Sequence, residues 1–467
     1  MELLATGQAR LRDDLKEALA AETLAPSQLR RTALALAWPS VLDNVLQSLV
    51  NMVALIMVGH LSPAAIAAVG ASNQVMNLAL TVFMALAIGT TALVARHVGA
   101  EDQKGADLVT RQSLWVSIAL GLGVGAVGVA LARPILTALG ADADVMRYGL
   151  PFLRISLGTI VLASIGIMVS AALRGAGDMR TPLAINVIAN VANFGFLWVL
   201  INGHLGFPAM GVAGAALGTA LTRLLSTVMY LSRLIPGRSR VQVSLSKGIG
   251  LDFGVMGRLF RVGMPSAIEQ AFMQFGMLVF IKLVIGLGTK VYAAHMIGTN
   301  VTALAFQPGI GLGTACATMI GQGLGAKRPD RAELFARETV KMAFFLMTGV
   351  AATYFAFSGL IVRVYTQDLA VIATGALILK MSALVQPGNS VGNVLSGGLR
   401  GAGDTKWPMY VTILCLYAIR LPVTYLVVQY LHFGIVGIWA AIFLDMNFRA
   451  FLIGRRFLGG RWKEVAV

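Results

Sequence analysis

"LRGAGDMRTP" occupies residues 173–182, and "LRGAGDTKWP" occupies residues 399–408, so the second copy starts 226 positions after the first. The match extends outward from this phrase at the same shift. "WPSVLDNV" (38–45) faces "MPSAIEQA" (264–271), which sets Pro39, Ser40 and Asp43 opposite Pro265, Ser266 and Glu269. "AAVGASNQV" (67–75) faces "AAHMIGTNV" (293–301), Gly99-Ala100 faces Gly325-Ala326, Arg154 faces Lys380, and Arg223 faces Arg449. One shift held from residue 39 to residue 223 identifies an internal duplication, not a recurring local turn.

Composition names the solvent of the duplicated unit. Of 467 residues, 57% are hydrophobic and 12% are charged, against about 25% charged in a soluble domain. The 52 glycines suit close helix approach in a bilayer. Cys316 and Cys415 lie in apolar stretches without metal-ligand spacing and read as packed thiols; no metal site is expected. A net charge of +16 would suit nucleic acid if it formed a stripe interleaved with aromatics. Instead the bases fall in alternate loops between apolar runs, which excludes nucleic acid as a partner and reports membrane orientation. No nucleophile elbow, P-loop or metal cluster appears, which argues against a membrane enzyme or an ATP-driven pump within this chain.

A helix needs about 20 apolar residues to cross the hydrocarbon core. That rule predicts about twelve spans, near 34–59, 63–95, 112–136, 147–173, 182–202, 209–232, 259–286, 291–324, 338–364, 370–398, 408–430 and 434–454. Spans two and eight are long enough to require tilt or a broken end. The expected fold is an all-α membrane protein of two pseudo-symmetric six-helix lobes: an N-lobe over 34–232 and a C-lobe over 259–454. A polar linker over 233–258 joins them, with a segment over 1–33 before and a tail over 455–467 after. An even number of spans sets both copies the same way up, related by an axis along the membrane normal.

Arg96, Lys104, Arg111, Arg174, Arg180, the linker bases, Lys327, Arg328, Arg400, Lys406, Arg455 and Arg456 share one side, which places both termini in the cytoplasm. The first thirty residues are too polar for a cleavable signal. "LRDDLKEALAAETLAP" (11–26) reads as an amphipathic helix on the inner surface or as a solvated tail. Within the repeated phrase, Gly-Ala-Gly ends a helix through a left-handed turn. Arg174 and Arg400 are placed to reach the headgroups, and Thr181-Pro182 to open the next helix.

A charge inside a span costs about 2.5–3.5 kcal/mol on insertion scales, so each needs a reason. Asp43 and Glu269 lie at matching positions, each four residues after a helix proline. In a low-dielectric cavity an ionised carboxylate holds a cation and protonation releases it; this is the ion-coupling role expected of both. The alternative is that each pairs with a buried base such as Arg154 or Lys380. Asp43, Gln47 and Asn51 recur at i, i+4 and i+8 and so share one helical face. On span seven the corresponding face is Glu269, Met273 and Met277, with Gln274 alongside, and the matched stretches of spans two and eight add Asn73 and Asn300. Methionines and amides suit flat, apolar cations, though packing explains any single methionine equally. Asp445 and Arg449, at i and i+4, are read as neutralising one another, and His295 as packing.

The paired "LRGAGD", "IMVG" after a proline-headed first helix, "LVARHVGA" and "MIGQGLGA" closing spans two and eight, and "GVAGAALGT" opening span six resemble the multidrug and toxic compound extrusion (MATE) family. The resemblance covers nearly the whole chain after residue 33. It implies alternating access between two lobes around a cavity walled by spans one, two, seven and eight. It also implies export of amphipathic organic cations in exchange for H⁺ or Na⁺, with no other cofactor. A multi-pass monomer in a bacterial-type inner membrane is the expected setting. Many family members carry an aspartate just before "IMVG" where this chain has Ala54, and some carry a carboxylate ten residues before "LRG" where it has Asn389, counted among the substrate-contacting candidates. The rival reading is a related carrier or flippase of a lipid-linked amphipathic substrate. A flippase would line its cavity with arginines to hold pyrophosphate.

Overall fold

The computed structural model describes residues 26–59, 63–204, 206–234, 241–242 and 250–465. The surface helix expected over 11–25 and most of the linker lie outside the described residues. Among the described residues every element is helical. Span one is Pro26–Gly59, two Pro63–Gly99, three Gln103–Ala138, five Arg180–Asn202 and six Gly211–Leu234. Span seven is Phe253–Ile285, eight Thr289–Gly325, nine Pro329–Arg363, ten Leu369–Gly401, eleven Lys406–Leu431 and twelve Gly434–Leu458. Span four is two helices, Ala143–Gly158 and Ile160–Gly175, bent by 46°.

Ten of these helices are long and apolar enough to cross a membrane, and the bent pair makes an eleventh among the described residues. Span one, with 34 residues, completes the predicted series. Spans two and eight each run 37 residues, roughly 55 Å at 1.5 Å per residue, longer than a hydrocarbon core of about 30 Å.

The chain forms two compact units. One is Val45–Gly263; the other joins the chain up to Asn44 with everything from Met264 onward. In the first, Phe83, Leu86, Leu136, Leu153, Leu157 and Met168 form the main core. Span four breaks at Thr159, and the side chain of Arg223 on span six meets the break. Its Nη1 donates to the Ser156 carbonyl at 2.9 Å and to Thr159 Oγ1 at 3.3 Å. A broken helix is tolerated in a bilayer when a neighbour satisfies backbone groups in this way.

In the second unit Phe280, Val284, Ile378, Ile438 and Trp439 pack together. Span one lies close on span eight, where a Cβ added to Gly311 would stand 2.7 Å from the backbone of Val41. Span eleven is interrupted by two π-helical turns, Cys415–Arg420 and Val427–Leu431. Large apolar side chains such as Val191, Phe345, Phe355 and Phe451 remain exposed, a surface that suits lipid rather than water.

Both copies of the repeated phrase close their helix alike. Asp178 N–H donates to the Leu173 carbonyl at 2.8 Å, and Asp404 N–H to the Leu399 carbonyl at 2.9 Å. Gly177 and Gly403 take the left-handed conformation at φ 86° and 89°, which an L side chain adopts only with strain. The next helix opens differently from the expected threonine cap. Asp178 Oδ1 accepts from the Thr181 amide at 2.9 Å, so the aspartate of the phrase does the capping. Asp404 instead accepts from Arg456 Nε at 2.8 Å.

Candidate functional site

Span seven places Glu269 one turn beyond Pro265, inside Phe253–Ile285, with 4% of the residue exposed. Two other spans reach it. Arg400, in the last turn of span ten, sends Nη2 to both carboxylate oxygens at 2.9 and 2.8 Å. Thr412, on span eleven, donates Oγ1–H to Oε1 at 2.8 Å. A buried carboxylate is tolerable only with such donors, and a guanidinium supplies the charge as well as the hydrogen bonds.

The arginine of the second repeated phrase therefore serves a buried acid instead of reaching for headgroups. Neither base proposed as a partner does so: Lys380 is exposed with Nζ over the Phe355 ring at 5.9 Å, and Arg154 is exposed. Sequence reasoning missed Arg400 and Thr412. The repeated phrase pointed at Arg400; a lone threonine in an apolar run carries no signal.

The remaining candidates divide by unit. Asp43 is buried at 7% exposure and has polar contacts of its own. Asn389 is also buried, on the helix that carries Arg400. Met273, Gln274 and Met277 are half-buried along span seven, and Met277 Sδ lies 3.9 Å from Arg420 Nη1. Asn300 is exposed and folds its amide back onto the Met296 carbonyl at 2.8 Å. Gln47 and Asn73 are exposed in the other unit. Asn51 lies within span one, outside the residues whose side chains are described. Around Glu269 the site is built from three helices: spans seven, ten and eleven. His295 is buried between Phe280 and Trp439, with ring centroids at 5.8 and 5.9 Å, in a packing position.

The MatE family profile matches residues 39–199 and again 265–426, two stretches that begin at the two helix prolines. This chain belongs to the MATE family. The protein is a MATE membrane transporter with an all-α fold, and the two matched stretches are its duplicated halves. It is 32% identical over 446 residues to the probable multidrug resistance protein NorM of Thermotoga maritima, covering 94% of each chain. It is 30% identical to the multidrug resistance protein PmpM of Pseudomonas aeruginosa, over 84% of this chain and 82% of that one. A MATE crystal structure in the bent conformation superposes with a TM-score of 0.86 at 24% identity, over 97% of this chain and 96% of that one. That likeness places the MATE fold of twelve helices in two lobes on this chain.

Proposed function

We propose that this MATE protein is a secondary antiporter that exports amphipathic organic cations by alternating access in exchange for H⁺ or Na⁺, with Glu269 and Asp43 as the coupling carboxylates. The observation that carries the reading is the buried Glu269 held by Arg400 and Thr412. One negative charge there has three claimants: the guanidinium, the coupling ion and a cationic substrate. A step that withdraws Arg400 leaves the carboxylate to the other two, and only one can neutralise it at a time. That exclusivity is what exchange requires. Met273, Gln274, Met277 and Asn389 supply soft and amide contacts for an organic cation in the same unit. Gln47, Asn51, Asn73 and Asn300 remain substrate-contacting candidates. The names of the relatives from Thermotoga maritima and Pseudomonas aeruginosa support drugs as the cargo. The setting proposed is a bacterial-type inner membrane, with a single chain acting alone and both termini cytoplasmic.

The test is dye efflux from everted vesicles under separately imposed proton and sodium gradients, comparing the parent with Glu269→Gln and Asp43→Asn. Loss of gradient-driven efflux in Glu269→Gln, with the protein still inserted, is the expected result. Unchanged efflux in both variants makes the carboxylates structural. No efflux from the parent shifts the weight to a lipid-linked substrate.

A further inference from the structure

Span eleven carries a second buried charge centre that the proposed exchange does not use. Arg420 is the last residue of the π-helical turn Cys415–Arg420, and 6% of it is exposed. Such turns are rare and are frequently found at functional sites. This one sets Arg420 against span twelve, where Asp445 is fully buried. Arg420 Nη2 lies 2.6 Å from Asp445 Oδ2. Arg449, one turn along span twelve, brings its own Nη2 to 3.2 and 3.4 Å from the two oxygens of the same carboxylate. Two guanidiniums share one acid, and among the described residues no other carboxylate pairs with either. The cluster holds one positive charge in excess.

The polar atoms point the same way. The Nε groups of Arg420 and Arg449 are buried without a hydrogen-bond partner. The Arg420 guanidinium stands over the Phe280 ring at 5.8 Å, which softens its charge but offers no acceptor. A buried donor left unmet costs about 1–3 kcal/mol, and an unbalanced buried charge more. A single acceptor carrying one negative charge relieves both.

The duplication shows that the six-helix scaffold does not need this cluster. At the shift of 226, Arg449 corresponds to Arg223, while Arg420 corresponds to Phe194 and Asp445 to Thr219. Arg223 spends its donors on Ser156 and Thr159 beside the break in span four. The first half folds with no acid and no second arginine at these positions.

We propose that the Arg420–Asp445–Arg449 cluster binds one small monovalent anion through the free guanidinium N–H groups. The ligand is an acceptor with a single charge: a free halide, or the carboxylate of a zwitterionic substrate. The site lies within the C-terminal half and is independent of whether Glu269 couples transport.

The experiment is thermal unfolding of the purified full-length protein in detergent. Sodium gluconate is replaced stepwise by chloride, or by acetate, at constant ionic strength. The parent should show a saturable rise in Tm of about 2–5 °C, and equilibrium dialysis with labelled chloride should show close to one ion per chain when chloride is the active salt. A response to acetate but not chloride assigns the site to a substrate carboxylate. Arg449→Gln removes the surplus charge and should abolish the response while still unfolding cooperatively. Asp445→Asn doubles the surplus and should lower the half-saturating anion concentration about tenfold, a change of about 1.4 kcal/mol. No response of the parent to either anion, or an unaltered response in Arg449→Gln, overturns the proposal. Should a variant fail to fold, dialysis of the parent against labelled chloride and, separately, labelled acetate still decides: binding of neither overturns the proposal.

Discussion

Glu269 is stabilised by donors from two other helices, and the two are not equivalent. Arg400 contributes charge and two contacts, Thr412 a single hydroxyl. Hydrogen bonds to a charged group contribute about 1.5–3 kcal/mol, so Arg400→Gln should lower the melting temperature by several degrees and Arg400→Lys should recover part of it. Thr412→Val should cost about 1 kcal/mol, measured in the same melts. At the far end of span two, Asp102 caps span three: Oδ1 accepts from the Gly105 amide at 2.9 Å, and Oδ2 lies 2.8 Å from His97 Nδ1. The Gly105 amide, and then His97, hold the Asp102 carboxyl below its ordinary value. A depressed folded pKa means a contribution that is complete above the unfolded value of about 3.9 and is lost as pH falls through the lower folded value. Asp102→Ala should therefore destabilise by about 1 kcal/mol or less at pH 7, and the difference from the parent should shrink as the pH falls below the ordinary aspartate range.

Elements show where hydropathy and packing part company. The spans, their number and the matched halves were legible because the apolar runs are long enough to cross a bilayer and one shift holds from residue 39 to residue 223. The helix-ending glycines were legible for the same reason: "LRGAGD" appears twice. The break at Thr159 was not, since Gly158-Thr159 lies in an unbroken apolar run and glycine is common in this chain. The π-helical turns were not, because one extra residue in a turn leaves no mark on composition. The acid at Glu269 could be read as a candidate, but its partner Arg400 stands 131 residues away and reads by itself as a helix-end base. Close approach of span one to span eight at Gly311 is testable on its own terms. Gly311→Val should destabilise by about 1–3 kcal/mol through forced backbone separation, visible as a lower midpoint in a detergent melt, while Gly349→Val, where a Cβ meets nothing within 4 Å, should not.

The orientation of the whole chain can be checked with a membrane-impermeant maleimide. Cys316 and Cys415 are both buried, so the parent gives a low background. A cysteine at Gly140, in the loop after span three, should be labelled in intact cells; one at Glu101, in the loop after span two, should be labelled only after permeabilisation. The reverse pattern would invert the topology. Finally, consider what the duplication left behind at positions 223 and 449. One ancestral residue now has two employments: the first copy props a bent helix, the second answers an acid. Neither half can be exchanged for a second copy of the other without stranding something. Two N-terminal halves would lack the acid and the second arginine; two C-terminal halves would lack the break that Arg223 meets. The duplication is still written in the sequence, and it has been spent, side chain by side chain, on making the halves unlike.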